Sequence, residues 1–399
     1  MSAPRRPSLA ILIAVAGLGT FTLNAILPSM PGLQRAFGTS YAVVQLTLTV
    51  YLVGLALAQL AYGPLSDRFG RRPVLLAGLG IFLAGTVLCV AATSIEMLIA
   101  GRLVQAIGGG AGLVMARAMV RDLHAPERAA AMIAYLTMAV VVAPTLAPVV
   151  GGLFEDWLGW RATFVFILGL AALTWGAAYL FAFETLHEGR HQAEFASLFL
   201  SFWQLLRNRA FNGYAFQVAF ITSAYFAFMG GAPYVMVDLM GRSPTDFGLY
   251  YVIISVTYVG ANFATARLVK RLGIPRLIWA GICVALIGSL SLAVTEFSLG
   301  LTPLTLFGLM SIVSIGNGLC IPSGTAGAIS ADPRRVGAAA GLAGSMQIGF
   351  GAAASYLVGL MLADSARPLV LLIVVCVALS LASHVLGQRS SVRTPSRTS

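Results

Sequence analysis

The side chains of this 399-residue sequence that could do chemistry are polar groups set inside apolar runs, a pattern suited to binding rather than to making bonds. Arg102 and Gln105 stand three apart in Arg102-Leu103-Val104-Gln105-Ala106-Ile107-Gly108, so they share one face of a helix. A cation embedded there costs at least ~2.5 kcal/mol on insertion scales and is expected to face a cavity or a partner. With Thr20, Asn24, Gln217, Tyr225, Phe226 and Asn317 they form a candidate substrate cavity, sparse polar points on apolar walls that suit amphiphilic ligands. Catalysis has no comparable footing. No phosphate-binding Gly-rich loop ending in Gly-Lys is present, and His124, His187, His191 and His384 lack metal or triad spacing. Cys89, Cys283, Cys320 and Cys376 are scattered without a Cys-x-x-Cys pair. No metal, no cofactor and no enzyme activity are expected.

The elements that must position these residues follow from composition. Apolar residues make up 58% of the chain and charged residues 10%, with mean hydropathy +0.88, which points to lipid as the solvent. A net charge of +11 could suggest nucleic acid, but the basic residues sit in short loops between apolar runs and never cluster with aromatics on a polar face. Twelve runs are long enough to span, at about 9–27, 42–62, 74–93, 97–116, 129–152, 162–182, 211–236, 247–266, 277–295, 299–321, 337–361 and 368–387. The first, after Arg5 and Arg6, lacks a small-x-small cleavage site and is expected to stay. Placing the N-terminus inside leaves 20 basic residues on inner segments and 4, Arg35, Arg161, Arg242 and Arg367, on outer loops. Both termini are therefore expected to be cytoplasmic.

Residues 183–210 form the longest stretch between spans, a cytoplasmic linker with an interfacial amphipathic helix over 195–206. On either side the chain repeats. Arg68-Phe69-Gly70 returns as Arg271-Leu272-Gly273, an offset of 203, and spans one and seven start 202 apart. The expected organisation is a cytoplasmic N-terminus (1–8), a six-helix half (9–182), the linker, a second six-helix half (211–387) and a cytoplasmic tail (388–399), with a site near the midplane.

The loop Gly63-Pro64-Leu65-Ser66-Asp67-Arg68-Phe69-Gly70-Arg71-Arg72-Pro73 is the most specific signal in the chain. Gly63 and Gly70 are expected to turn the backbone, Asp67 to offer its carboxylate to a helix start or an arginine, and Arg71 and Arg72 to hold the inner surface. The loop resembles motif A of the major facilitator superfamily, and the resemblance extends over essentially the whole chain. It implies an all-α membrane fold of twelve transmembrane helices in two six-helix halves. It also implies a conformational latch of Gly63, Asp67, Arg68, Gly70, Arg71, Arg72 and Asp122, with Asp67 facing the start of span eleven near Gly337 and Arg71 paired with Asp122.

The run from Arg102 to Gly108 resembles the family's motif B. Ala143-Pro144-Thr145-Leu146-Ala147-Pro148-Val149-Val150-Gly151-Gly152 resembles motif C, the antiporter signature. There Pro144 and Pro148 bend the helix while Gly151 and Gly152 admit a close neighbour. Leu27-Pro28-Ser29-Met30-Pro31, Ala232-Pro233-Tyr234-Val235, Ser243-Pro244-Thr245-Asp246-Phe247-Gly248 and Gly341-Leu342-Ala343-Gly344-Ser345 resemble the bicyclomycin and chloramphenicol resistance (Bcr/CflA) group of drug:proton antiporters. The resemblance implies a monomeric multidrug efflux transporter of a bacterial cytoplasmic membrane, exchanging drug-like molecules for protons. An exporter or importer of a specific metabolite and a non-transporting receptor of the same fold are the alternatives. One departure stands out. Where that group carries an aspartate four residues before Pro28, this chain has Asn24, and an amide cannot titrate. Asp238, at the outer end of span seven, is the second candidate for protonation.

Overall fold

A computed structural model describes residues 8–186 and 195–391. Arg5, Arg6, His187, Arg190, His191, Arg393 and Arg397 lie outside the described residues. The described chain is helical: α1 (Leu9–Ala25), α2 (Met30–Phe37), α3 (Tyr41–Phe69), α4 (Arg71–Val90), α5 (Ile95–Leu123), α6 (Pro126–Leu158), α7 (Trp160–Phe181), α8 (Phe195–Leu206), α9 (Arg209–Tyr234), α10 (Pro244–Leu272), α11 (Ile274–Ser298), α12 (Pro303–Ser330), α13 (Val336–Met361) and α14 (Arg367–Ser391). Eleven helical segments of the described residues are long and apolar enough to cross a membrane, with α1 and α2 counted together as Leu9–Phe37. The 33-residue α6 supplies the remaining span, and α8 is the short helix between the halves.

Helix starts are written in the sequence as polar caps. Ser8, Ser40 and Ser94 accept the backbone N–H three residues on, at the starts of α1, α3 and α5. Asn208 does the same for Ala210 and Phe211, and Thr302 with Thr305 closes a reciprocal box at α12. Pro28 opens a 3-10 turn, Leu27–Ser29, through which α1 passes into α2. Gly63 departs from its expected role: it lies within α3, not in a turn. The turn belongs to Gly70 alone, at φ 97°, a conformation that only glycine adopts without strain.

Two compact units emerge, Met1–Ala193 with Arg242–Leu249, and Glu194–Gly241 with Tyr250–Ser399. Between lipid-facing helices no water is released on contact, so close packing depends on small residues. In the first unit α4 and α5 touch through Gly78 and Gly85 on one side and Gly101 and Gly108 on the other; side chains there would strike Ala111 and the backbone of Gln105, Cys89 and Phe82. In the second unit Gly281 and Gly288 of α11 meet Gly316, Cys320 and Val313 of α12. Gly281 and Gly288 follow Gly78 and Gly85 by 203 residues, the same offset as the repeated Arg-x-Gly. The repeat thus conserves a helix crossing.

The two classes of glycine give opposite expectations for stability. Gly85→Val and Gly288→Val are expected to lower it by about 1–3 kcal/mol each through overpacking. Gly63→Ala, with nothing within 4 Å of the added methyl, is expected to raise it by up to about 1 kcal/mol. Thermal unfolding of the purified variants checks both signs.

Candidate functional site

Arg102 is fully buried in the first unit, so its charge does not reach the aqueous boundary. Its Nη1 donates to Gln105 Oε1 at 2.7 Å, and Gln105 Nε2 donates to Thr86 Oγ1 at 2.8 Å, linking α5 to α4. Nε donates to the Thr47 carbonyl at 3.4 Å, and the guanidinium lies 4.0 Å from the centre of the Tyr51 ring. Tyr51 in turn donates to the Gly19 carbonyl at 2.9 Å, so this one phenol connects the arginine to α1. No carboxylate pairs with Arg102 among the described residues, and its Nη2 has no partner there. A buried cation with one donor unpaired carries an unmet desolvation cost. On α1, Asn24 donates to the Thr20 carbonyl at 2.8 Å, while Thr20 Oγ1 donates to Gly17 at 3.0 Å.

In the second unit the expected residues fall into separate places. Tyr225 is partly exposed, its hydroxyl pairs with that of Tyr251, and its ring stacks on Tyr258 at 6.5 Å. Phe226 sits beside it at 5.7 Å and packs on Gly351. Gln217 lies two helical turns away from Tyr225, fully buried, with Nε2 3.3 Å from Ser380 Oγ and with Oε1 unpartnered. Asn317 is 1% exposed and neither amide atom has a partner among the described residues. Of the expected cavity set, only Thr20, Tyr225 and Phe226 present part of their surface. Asp238 is exposed, in a π-helical turn, Val235–Leu239, that follows α9.

At the α3–α4 loop the geometry centres on Arg71, which is 4% exposed. Its Nε donates to Asp122 Oδ2 at 2.8 Å, and its Nη1 reaches Ser66 Oγ and Asp67 Oδ1, both at 2.6 Å. Arg72 donates to the Tyr179 carbonyl at 2.9 Å, and Arg68 stacks over Phe69 at 5.2 Å. The residue that completes this cluster is Glu184. Its carboxylate accepts the backbone N–H of Arg71 at 2.9 Å, Arg72 at 3.1 Å, and Thr185 and Leu186 at 3.0 Å, so it caps the start of α4 from the far end of the first half. Partial burial draws its pKa up, but the four amide donors outweigh that and hold it below the usual carboxylate value. Thr185 Oγ1 donates to Asp122, closing the ring. Sequence reasoning counted Glu184 as a linker charge. Nothing in Phe183-Glu184-Thr185 announces a cap for a helix that starts 113 residues earlier.

The double-proline stretch of α6 is held between two neighbours. Gly151 rests on the Ala25 carbonyl at the end of α1, and Gly152 on Pro244, where an added methyl would lie 2.5 Å from the carbonyl oxygen. Gly248 returns the contact on the Pro148 carbonyl. Adjacent glycines point about 100° apart on a helix, so each serves a different partner. This is why the first turns of α10 group with the first unit while the rest of that helix does not.

A fold of two units built on one repeated crossing, with a buried arginine, an Arg71–Asp122 loop and a glycine-lined α6, defines a class, and comparison with known proteins agrees. Residues 9–356 match the Major Facilitator Superfamily, and the chain belongs to that family. It is 30% identical to Multidrug resistance protein D of Escherichia coli over 87% of both chains. It is 27% identical to the Bicyclomycin resistance protein homolog of Haemophilus influenzae over 92% of both, and 32% identical to a Chloramphenicol resistance protein of Pseudomonas aeruginosa over 70% of this chain and 66% of that one. Among solved structures, a bacterial homolog of the human lysosomal transporter Spinster superposes with TM-score 0.75 at 17% identity, covering 97% of this chain and 96% of that one. The xylose transporter XylE from E. coli does so with TM-score 0.71 at 13% identity over 98% of both.

The Glu184 cap sets a pH-dependent expectation. A carboxylate whose pKa is lowered by folding stabilises above its unfolded value and loses that contribution as pH falls through it. Glu184→Gln is therefore expected to be less stable than the parent at pH 7 by about 1 kcal/mol. The gap is expected to shrink as pH falls below about 4.5. Denaturation midpoints of the two proteins across pH check this.

Proposed function

We propose that this protein is a secondary active exporter of drug-like small molecules in a bacterial cytoplasmic membrane, with both termini inside, working as a monomer and driven by protons. The observation that carries this reading is the similarity, over 87% of both chains, to Multidrug resistance protein D. The geometry supports it. Tyr225, Phe226 and Thr20 offer adaptable apolar and aromatic surface, and Arg102 keeps one buried donor unpaired among the described residues. Export takes place by alternating access, with a drug-like small molecule, protons and the lipid bilayer as partners.

In this reading the loop from Gly63 to Arg72 is the latch. Arg71 is fixed by Asp122, Ser66 and the Glu184-capped backbone, whereas Asp67 is 38% exposed and so accessible to a changing partner. The Pro144–Gly152 stretch is the seal against ion leak. Glycine-mediated backbone contact at Gly151 and Gly152 leaves no side-chain volume to displace.

Expression in a pump-deficient host is expected to lower accumulation of a lipophilic dye, and unchanged accumulation across a broad drug panel overturns the reading. Arg102→Ala is expected to abolish the effect. Asn24→Asp places a titratable group beside Thr20 and is expected to alter the pH profile of transport; an identical profile would show that α1 plays no part in coupling.

A further inference from the structure

Several of the described carboxylates have a partner for at least one oxygen. Asp67 and Asp122 pair with Arg71, Asp156 accepts from Thr245, Glu184 from backbone amides, Asp246 from Ser243, and Asp332 pairs with Arg335. Glu155 is different. Its Oε2 is buried and has no partner among the described residues, the one carboxylate oxygen of which this is true.

Its position follows from the α6 seam. Gly151 touches the end of α1, and Glu155 lies one turn further on the same face, past the outer end of the membrane-crossing stretch 129–152. There its carboxyl lies directly on Gly32 of α2, in space that any larger residue would claim. Ser29, fully buried in the turn between α1 and α2, faces it without completing a hydrogen bond, so two buried polar groups confront each other unsatisfied. An ionised carboxylate in this setting carries an unmet desolvation cost; a proton on the carboxyl removes the charge and with it that cost.

The charges around it do not remove that need. Arg35 of α2 draws the pKa down, Asp156 on α6 itself pushes it up, Asp246 at the start of α10 is occupied with Ser243, and Arg161 of α7 turns to the Ala92 carbonyl. Burial is the largest influence and pushes the Glu155 carboxyl up to about 7, against the pull of Ser29 and Arg35. A carboxyl of this kind titrates across the range that separates an acidic exterior from a neutral one.

We propose that Glu155 is a proton-binding site open to the external medium, and that its protonation sets the response of the transporter to external pH. The step is a simple transfer: a hydronium ion outside gives its proton to Glu155, leaving water, and the neutral carboxyl rests against Gly32. The next residue, Asp156, holds the first turn of α10 through Thr245, so the turn of α6 that senses the proton also anchors a helix that continues into the second half. This goes beyond the efflux reading; the external side of the site and its transport consequence rest on that reading.

The direct test is infrared titration of the purified full-length protein, comparing the carboxylic-acid C=O band of the parent with that of Glu155→Gln. The proposal expects a band, absent from E155Q, that disappears with a midpoint near pH 7. A difference band titrating near 4.5, or no difference band, overturns it. Ser29→Ala, which keeps the carboxyl, is expected to move the midpoint upward; an unmoved midpoint counts against the site, and this variant serves where E155Q does not fold. In proteoliposomes the parent is expected to change its rate of drug export through the same external pH, and E155Q to lose that dependence while keeping its drug affinity. If the parent exports nothing the efflux reading fails, yet the titration still decides whether Glu155 binds the proton.

Discussion

The bilayer supplies no hydrogen bonds and no hydrophobic gain for one helix meeting another, and the rest of this structure depends on how that constraint is met. Each helix satisfies its own backbone, and contact is made where side chains are missing. Gly78, Gly85, Gly101 and Gly108 bring α4 and α5 within backbone distance, and Gly281, Gly288 and Gly316 do the same for α11 and α12. Close crossings of this kind fix the register of polar residues on the same helices. Gln105 reaches Thr86 because Gly85 packs against the Gln105 backbone itself.

That register makes a buried arginine tolerable. Arg102 has no counter-ion among the described residues, and its charge is spread over Gln105, the Thr47 carbonyl and the Tyr51 ring. The arrangement holds the charge and leaves one buried N–H donor, Nη2, unpaired among the described residues. At the corner between α3 and α4 the opposite solution is found. Arg71 is saturated by Asp122, Asp67 and Ser66 while Glu184 saturates the amides beside it, and a rigid corner results.

Much of this was legible in the sequence. Hydropathy marked the spans, and the resemblance carried by the Gly63–Pro73 loop implied a pairing of Arg71 with Asp122, which is found. The partners that come from distant elements were not legible. Glu184, Tyr51, Thr86 and Tyr251 act through contacts made 19 to 113 residues away, and no local spacing encodes them. Gly63 was misassigned for a related reason: a glycine beside a proline reads as a turn, yet the turn was carried by Gly70 and α3 ran on through Pro64. The proposed cavity residues divided likewise, since helix position alone does not distinguish a buried packing amide such as Gln217 from the partly exposed Tyr225.

Glu155 joins these strands, because a carboxyl became buried where two glycines, Gly151 and Gly32, let helices close around it. The central claim is that drug movement and proton movement are joined in one protein. It is tested most directly by adding lipophilic drugs to the purified protein in weakly buffered solution and recording pH. Proton release on drug binding, saturating with drug concentration, is the result expected. Saturable drug binding with no change in pH, at any starting pH between 6 and 8, would contradict it.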